Sequence, residues 1–278
     1  MAHTEIDLCY ETEEGLELGA LVYRPAVDHS APLPLVIDIH GGAWASGHRK
    51  SGRHYDRLLA EAGICVVAID FRHGPDFKHP AAIIDILAAV RWATSSDELA
   101  IAPTSVGLVG SSSGGHLALY SALDPDRIDR EAAGRIEHVI ALWPVSNPLA
   151  RYQYATARLN EDPASLVNFE PARLKAGHDG YFENQQQMHD AAIQHILISG
   201  KHGSPPPAFV VQPELDQNVP VMMSQTLAGA WELAGGEVTY KLYPGVAHGF
   251  AHTEGPQTDA CIADMVDWIK VHSPGKSA

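Results

Sequence analysis

The chain contains 278 residues, of which 45% are hydrophobic and 19% are charged. This composition is typical of a globular protein with one large or two small domains and excludes a disordered chain. The formal net charge of −15 at pH 7 repels polyanions, so we expect neither nucleic acid nor an acidic membrane surface as a partner. No apolar run in the sequence approaches the roughly 20 residues that a membrane-spanning helix needs.

The N-terminal residues and the cysteines bear on the cellular compartment. Residues 1–5 carry neither a basic start nor an apolar stretch, which predicts that no secretory signal is present. Cys9, Cys65 and Cys261 are odd in number, far apart, and without the spacing of metal ligands. Such cysteine usage is typical of a reducing compartment, so we expect a cytoplasmic protein, although the sequence leaves one disulfide open.

Strand and helix patterns alternate along most of the chain. Residues 6–10 and 16–23 predict an antiparallel hairpin at one edge of a sheet. Apolar segments rich in β-branched residues predict six further strands, at residues 33–39, 64–69, 105–109, 139–143, 208–211 and 238–243. Helical spacing predicts helices at residues 51–62, 80–92, 114–123, 219–234 and 258–271. This alternation indicates a single α/β domain over residues 1–278, with a mostly parallel twisted sheet and helices on both faces.

Residues 144–207 interrupt the alternation. The segment contains three consecutive glutamines, scattered aromatic side chains and little strand character. A stretch of this length without sheet pattern inside a compact domain is more often a functional excursion than a loop. We therefore predict a lid or cap insertion, the alternative being a group of surface helices with no role in binding.

The carboxyl ends of parallel strands are the first places to look for a functional site. After the strand predicted at 105–109, residues 110–114 match the pattern G-x-S-x-G with Ser112 at its centre. A serine on such a sharp strand-to-helix turn has a strained backbone, and the flanking glycines remove Cβ atoms that would clash. A phosphate-binding loop would need a lysine where His116 stands, and a frame centred on Ser113 would have Ser111 in place of its first glycine. These observations predict Ser112 as a nucleophile.

A serine hydroxyl needs a base to accept its proton and an acid to orient that base. In this strand-to-helix arrangement the order along the chain is serine, acid, histidine. Glu214 and Asp216 follow the strand at 208–211, and a glycine-bracketed loop with His248, and then His252, follows the strand at 238–243. We predict Asp216 and His248 as the partners of the serine, with Glu214 and His252 as the alternatives.

A fourth element, His-Gly-Gly-Ala-Trp at residues 40–44, follows the strand at 33–39. A loop without bulky side chains lets backbone amides approach the oxygen on which acyl transfer builds negative charge. We predict an oxyanion hole from the amides of Gly42 and Ala43, with help from Gly41, together with the amide of Ser113. The alternative is a glycine turn that only reverses the chain.

Together these motifs resemble the hormone-sensitive-lipase-like carboxylesterases of the α/β-hydrolase fold. The resemblance spans residues 16–269 and is carried by four segments: HGGAW at 40–44, GSSSGG at 110–115, ELDQNVP at 214–220 and YPGVAHGF at 243–250. It implies a triad of Ser112, His248 and Asp216 that hydrolyses esters through an acyl-enzyme intermediate. It also implies that no metal and no organic cofactor take part.

Two features depart from the family pattern. Many of these esterases carry a third glycine where this chain has Ala43. The pattern HGG-x-W also occurs in kynurenine-formamidase-like hydrolases, so formamide, amide or lactone cleavage stays open as an alternative to ester cleavage. Only 15 residues precede residue 16, too few for a helical N-terminal cap, so we expect any lid to come from residues 144–207.

The polarity of residues 144–207 bears on the substrate. A lipase lid presents a broad apolar face, whereas the aromatic residues here lie among Gln, Asn, His and charged residues. We expect an ester of small to medium size, aromatic or polar, with Trp44, His40, Tyr181 and Phe182 around the pocket. For His40 the stronger interpretation is a hydrogen-bonding residue that braces the loop, and Trp44 could belong to the core.

Further alternatives concern binding and assembly. A catalytically inactive receptor for a small ligand commonly lacks the serine or the histidine, and this chain retains both together with Asp216. The pairs His178 with His189 and His195 with His202 lack fixed metal-ligand spacing and are interpreted as solvated. An exposed sheet edge or the last helix could support a homodimer.

Overall fold

The computed structural model of the chain describes residues 2–26, 33–101, 103, 106–166 and 169–273. Within these residues one sheet contains β1 (His3–Glu11), β2 (Glu17–Pro25), β3 (Leu35–Ile39), β4 (Cys65–Ile69), β5 (Val106–Ser111), β6 (Ile136–Leu142), β7 (Ala208–Pro213) and β8 (Val238–Tyr243). Their order is β1-β2-β4-β3-β5-β6-β7-β8. The two pairs that involve β2 are antiparallel and the others are parallel. The predicted mostly parallel sheet, with an antiparallel hairpin at one edge, is confirmed.

Helices cover both faces of this sheet, as predicted. The described residues form α1 (Arg53–Glu61), α2 (Ala81–Ser95), α3 (Ser113–Leu123), α4 (Arg130–Ala133), α5 (Pro148–Ala157), α6 (Pro171–Tyr181), α7 (Gln185–Asp190), α8 (Ile193–Ser199), α9 (Val221–Leu233) and α10 (Pro256–His272). Buried side chains of α2, α3, α8 and α9 belong to the core on one face, and those of α1 and α10 belong to the core on the other. Because the central strands are buried on both sides, they consist of nearly continuous apolar residues.

Strand register brings the predicted motifs together. Ile39, the last residue of β3, pairs with Ile69 on one side and with Gly110 on the other. The loops that follow β3 and β5 therefore leave the same edge of the sheet side by side, as expected for the carboxyl ends of parallel strands. Strand β5 continues to Ser111, two residues beyond the predicted end, because small residues without apolar character still pair with β6. Residue 105, where that strand was predicted to begin, lies outside the described residues.

The segment at 144–207 connects β6 to β7 and contains α5 to α8. Met188 of α7 and Ile193 of α8 are buried in the main core, so this half of the segment is anchored on the body of the domain. Ala155 of α5 and Leu174 of α6 pack in a separate small cluster with Ala43. Ala43 belongs to the loop at residues 40–44, here called the glycine loop. The segment is thus built of helices that reach the predicted site from one side.

Two further observations concern the described part of the chain. None of its helices combines the length and the apolar character needed to cross a bilayer. Cys9, Cys65 and Cys261 are free thiols, and the latter two are buried. The disulfide that the sequence leaves open is therefore not formed.

Two buried carboxyl groups make the stability of the fold depend on pH. Asp38 of β3 and Asp56 of α1 are 1% and 0% exposed, and the Tyr55 hydroxyl donates a 2.8 Å hydrogen bond to Asp38 Oδ1. Burial raises the pKa of Asp38 to about 7, and burial together with the charge of Asp38 raises the pKa of Asp56. Because the folded state binds these protons more tightly than the unfolded state, their stabilising contribution is present at low pH and is lost as the pH rises toward 7.

We expect Asp56→Asn, which cannot ionise, to raise the free energy of unfolding relative to wild type at pH 8 and by much less at pH 5. Urea unfolding of both proteins at the two pH values measures this difference. Asp267→Asn, at an exposed position of α10, is the control and should follow wild type. An effect of Asp56→Asn that is the same at both pH values would contradict the assignment.

Candidate active site

Ser112 lies at the turn between β5 and α3 in a backbone conformation that side-chain-bearing residues rarely adopt, with φ 53° and ψ −116°. A Cβ at Gly110 would lie 2.4 Å from the carbonyl oxygen of Gly114, and a Cβ at Gly114 would lie 2.0 Å from that of Ile39. The packing therefore requires both glycines of the predicted motif. The amide of Ser112 donates a 2.8 Å hydrogen bond to the carbonyl of Leu142, which holds the turn against β6.

Two hydrogen bonds join the three predicted catalytic side chains. Ser112 Oγ lies 3.1 Å from His248 Nε2, and His248 Nδ1 lies 2.8 Å from Asp216 Oδ2. The other carboxylate oxygen of Asp216 accepts 2.8 Å hydrogen bonds from the amides of Asn218 and Val219. Since a carboxylate can only accept, His248 donates from Nδ1 and is left to accept the serine proton at Nε2.

Glu214 and His252, the alternatives to Asp216 and His248, have other roles in the structure. Glu214 Oε2 accepts a 2.8 Å hydrogen bond from the amide of Gly245, so Glu214 braces the loop, while Asp216 is the acid bound to His248. His252 lies in the cavity wall, with its ring centroid 5.7 Å from that of Trp143. Burial, reinforced by neighbouring His248, lowers the pKa of His252. His252 is therefore a neutral wall residue at neutral pH.

The glycine loop lies against the serine turn. A Cβ added at Gly41 would be 3.2 Å from Ser112 Cβ, so the two segments are in close contact. The amide of Gly41 donates a 3.1 Å hydrogen bond to Ser111 Oγ. This amide is therefore already occupied, which corrects its predicted place in the oxyanion hole. Three predicted donors remain: the amides of Gly42, Ala43 and Ser113.

The backbone of the glycine loop is held in an unusual conformation. Gly42 and Ala43 both have positive φ, 126° and 54°, and a Cβ at Gly42 would lie 1.9 Å from the carbonyl oxygen of Ser46. The amide of Trp44 donates a 3.2 Å hydrogen bond to Ser113 Oγ. This contact holds the loop beside the N-terminus of α3, where the helix dipole favours negative charge.

The residues predicted around the substrate pocket are buried in the interior instead. Trp44, His40, Tyr181 and Phe182 are at most 1% exposed, and none is among the described residues that line the cavity at the serine. Trp44 stacks on Tyr181 with ring centroids 5.8 Å apart, and its Nε1 donates a 3.3 Å hydrogen bond to His116. The pocket assignment is therefore corrected: these rings pack together because large aromatic surfaces are more stable when buried.

His40 braces the glycine loop, in agreement with the interpretation of the sequence. Its Nδ1 donates a 2.7 Å hydrogen bond to the carbonyl of Gly41, and its ring stacks on Phe71 with centroids 4.3 Å apart. A Cβ at Gly47 would lie 2.3 Å from His40 Nδ1. Burial lowers the pKa of His40 to about 4, so the ring is neutral and structural.

A cavity of about 410 Å³ opens at the serine. The described residues around it come from the ends of β3, β5, β6, β7 and β8, from the segments that follow these strands, and from α6: Gly41, Gly42, Ala43, Gly47, Ser51, Ser111, Ser112, Trp143, Arg173, Leu174, Asn218, His248, Gly249 and His252. Sequence reasoning missed several of these residues, among them Trp143, Arg173, Leu174 and Asn218. Asn218 lies only two positions after Asp216, so its place near the candidate acid could have been inferred from the sequence. Arg173 and Leu174 reach the site through the packing of α6, which no local pattern indicates.

Within the described ranges, one set of three side chains could hold a metal ion. Ligand atoms of His189, Asp190 and His195, at the junction of α7 and α8, all lie within 4.8 Å of one another, and His189 Nδ1 is 3.2 Å from Asp190 Oδ1. Imidazole and carboxylate ligands suit zinc and neighbouring transition metals. None of the three lines the cavity at the serine, and the interpretation of His189 and His195 as solvated stays a prediction. The same interpretation is wrong for His178, which is fully buried and donates a 2.8 Å hydrogen bond from Nδ1 to the carbonyl of Leu174.

Fold and site together define a class of protein. A serine at a strained strand-to-helix turn, followed along the chain by a carboxylate and a histidine, is the framework of the α/β hydrolases. The chain belongs to the family described as alpha/beta hydrolase fold, whose model matches residues 36–252.

Individual relatives agree with this assignment. The chain is 28% identical over 236 residues to the probable carboxylic ester hydrolase LipM of Mycobacterium tuberculosis, with 82% of this chain and 52% of that protein covered. It is 28% identical over 281 residues to the ethyl acetate hydrolase of Pseudomonas putida, with 96% and 82% covered. The solved structure of an esterase from Pyrobaculum calidifontis superposes with a TM-score of 0.80 at 25% identity, covering 98% of this chain and 86% of that one. The chain spans about half the length of LipM.

Proposed function

We propose that this protein is a serine carboxylesterase in which Ser112 is the nucleophile, His248 the general base and acid, and Asp216 the residue that orients the histidine. The continuous contact between these side chains, 3.1 Å and 2.8 Å, carries the proposal. It supplies what an isolated hydroxyl lacks, which is an acceptor for its proton at neutral pH. The similarity to named ester hydrolases supports the same activity.

In acylation, Ser112 Oγ attacks the carbonyl carbon of the ester while its proton passes to His248 Nε2. Asp216 stabilises the imidazolium that forms. Negative charge on the former carbonyl oxygen is held by three backbone amides, those of Gly42, Ala43 and Ser113. When this intermediate collapses, the alcohol leaves with the proton from His248, and the acyl group stays on Ser112.

In deacylation, water takes the place of the alcohol. His248 accepts a proton from the water as its oxygen adds to the acyl carbon, and the same amides hold the new negative charge. Ser112 then leaves with the proton returned by His248. One ester and one water yield one carboxylic acid and one alcohol, and every proton is moved by this chain's own residues.

Helices α5 and α6 act as the cap over this site in our proposal. Leu174 and Arg173 of α6 line the cavity, and Leu174 packs in one cluster with Ala43 of the glycine loop and Ala155 of α5. The position of α6 therefore sets both the size of the cavity and the shape of the glycine loop.

The size of the cavity favours short acyl groups. Its volume of about 410 Å³ is near the lower end of the roughly 300–1,000 Å³ of small-molecule sites. We expect kcat/KM for p-nitrophenyl butyrate to exceed that for p-nitrophenyl laurate by at least about tenfold, because the longer chain leaves apolar surface in water. Release of p-nitrophenol under identical conditions measures both. A preference for acyl chains beyond about ten carbons would exclude this cavity as the acyl site.

Formamide or lactone cleavage would use the same catalytic residues as ester cleavage. The three activities are therefore distinguished by comparing substrates. The direct comparison is hydrolysis of p-nitrophenyl butyrate, N-formylkynurenine and δ-valerolactone by the same enzyme preparation. We expect the ester to react fastest. Faster hydrolysis of the formamide or of the lactone would replace the ester assignment.

A further inference from the structure

The cavity at Ser112 differs in charge from the rest of the chain. Acidic residues outnumber basic ones by 34 to 19, yet among the described residues that line the cavity Arg173 is the one with a permanent charge and no carboxylate is present. Its helix, α6, places it in the cavity wall beside Leu174. A ligand in this cavity therefore meets a positive charge on a protein whose net charge is strongly negative.

The existing partner of Arg173 binds it weakly. Arg173 Nε is 3.8 Å from Glu170 Oε2, and the two side chains are 55% and 74% exposed. An exposed pair at this distance contributes little, since water screens both charges. The guanidinium is therefore available to a ligand, and its planar donors match the geometry of a carboxylate.

A second arginine behind the wall orients Asn218. Arg151 is fully buried, and its Nη1 donates a 2.9 Å hydrogen bond to Asn218 Oδ1. Because a guanidinium can only donate, this contact fixes the orientation of the amide and leaves its Nδ2 donor free to serve the cavity that Asn218 lines.

Arg151 adds positive charge to the same wall. Its Nε and Nη2 have no hydrogen-bond partner among the described residues, and the negative charge of Asp216 is near enough to stabilise its guanidinium. Burial lowers the pKa of Arg151 to about 9, and the group still carries its charge at neutral pH. Arg173 and the amide of Asn218 thus offer donors to the cavity, and buried Arg151 adds positive charge behind Asn218.

We propose that the natural substrate is an ester that carries a carboxylate, such as a half-ester of a dicarboxylic acid, and that Arg173 and Asn218 bind this carboxylate. The proposal rests on the esterase function and adds the class of substrate. Arg173 pairs with the carboxylate, Asn218 donates a hydrogen bond to it, and buried Arg151 fixes Asn218 and adds long-range attraction. Binding at this wall holds the scissile carbonyl beside Ser112.

A matched pair of substrates tests the proposal. Monoethyl adipate and ethyl hexanoate share their acyl length and leaving group and differ in the distal carboxylate. Acid release is followed in a pH-stat for wild type, Arg173→Gln, Arg173→Glu and Arg158→Gln. Arg158 is an arginine of the same insertion that pairs with Glu161 and does not line the cavity, so it controls for loss of a surface charge.

We expect wild type to have the higher kcat/KM for monoethyl adipate. The ratio of its kcat/KM to that of ethyl hexanoate should fall about tenfold in Arg173→Gln, mainly through a higher KM, and further in Arg173→Glu, whereas Arg158→Gln should keep the wild-type ratio. Hydrolysis of ethyl hexanoate with no preference for the half-ester, or an equal loss for both substrates in Arg173→Gln, would overturn this inference and leave the esterase function standing. Hydrolysis of neither ester would contradict the esterase function, and the substrate class with it.

Discussion

Ser112→Ala is expected to lower kcat for p-nitrophenyl butyrate by about 10⁴–10⁶-fold, because removal of the nucleophile ends formation of the acyl-enzyme and leaves only the residual effect of binding and the oxyanion hole. His248→Ala should cause a loss of similar size, since the triad acts as a unit. Initial rates and far-UV circular dichroism measured on the same samples separate a catalytic loss from misfolding.

The control for this substitution is another buried serine of the same region. Ser121 of α3 is fully buried, and its Oγ has no hydrogen-bond partner among the described residues. Its replacement by alanine removes an unpaired polar group and should leave kcat within about twofold of wild type. Near wild-type activity in Ser112→Ala, with Ser113→Ala inactive, would show that the frame of the motif is wrong.

Asp216→Asn is expected to lower kcat by about 10⁴-fold, because the amide offers a donor to His248 Nδ1 and favours the tautomer that cannot accept the serine proton. Glu214→Gln should stay within about threefold of wild type, since the amide oxygen can still accept from the backbone of Gly245. Steady-state kinetics of the two variants under one condition distinguish these roles. If Glu214→Gln proves the more damaging change, the acid assignment is wrong.

The strands could be predicted because burial on both faces leaves a clear local signal. The segments LVIDI and CVVAI, now β3 and β4, are apolar runs that suit a sheet covered by helices on both sides. The end of β5 could not be predicted, because Gly110 and Ser111 carry no apolar pattern and pair only through the backbone. The short helix α4, Arg130–Ala133, was likewise missed, since its length is too short to show a helical period.

The candidate triad could be predicted because the sheet brings its members together by topology. Ser112, Asp216 and His248 follow β5, β7 and β8, and the ends of parallel strands meet at one edge. Chain order and the glycines around the serine were sufficient signals for these three residues.

The cavity wall could not be predicted in the same way. Trp44 and Tyr181 were expected around the pocket, with a place in the core as the alternative for Trp44, but the packing of α6 stacks the two rings on each other in the interior. Arg173 lies on the same helix and reaches the cavity because of how α6 is oriented. That orientation depends on contacts between distant segments, which composition and periodicity do not encode.

The most direct test of the central claim is to trap the nucleophile. Wild type is treated with phenylmethylsulfonyl fluoride, a sulfonylating analogue of an acyl donor, and digested peptides are examined by mass spectrometry while residual activity is measured. We expect one sulfonyl group on Ser112 in proportion to the activity lost, and none on this peptide in Ser112→Ala or His248→Ala. Full inactivation with the label on another residue, or equal labelling of Ser112 after removal of the His248 imidazole, would contradict the claim that the histidine activates this serine.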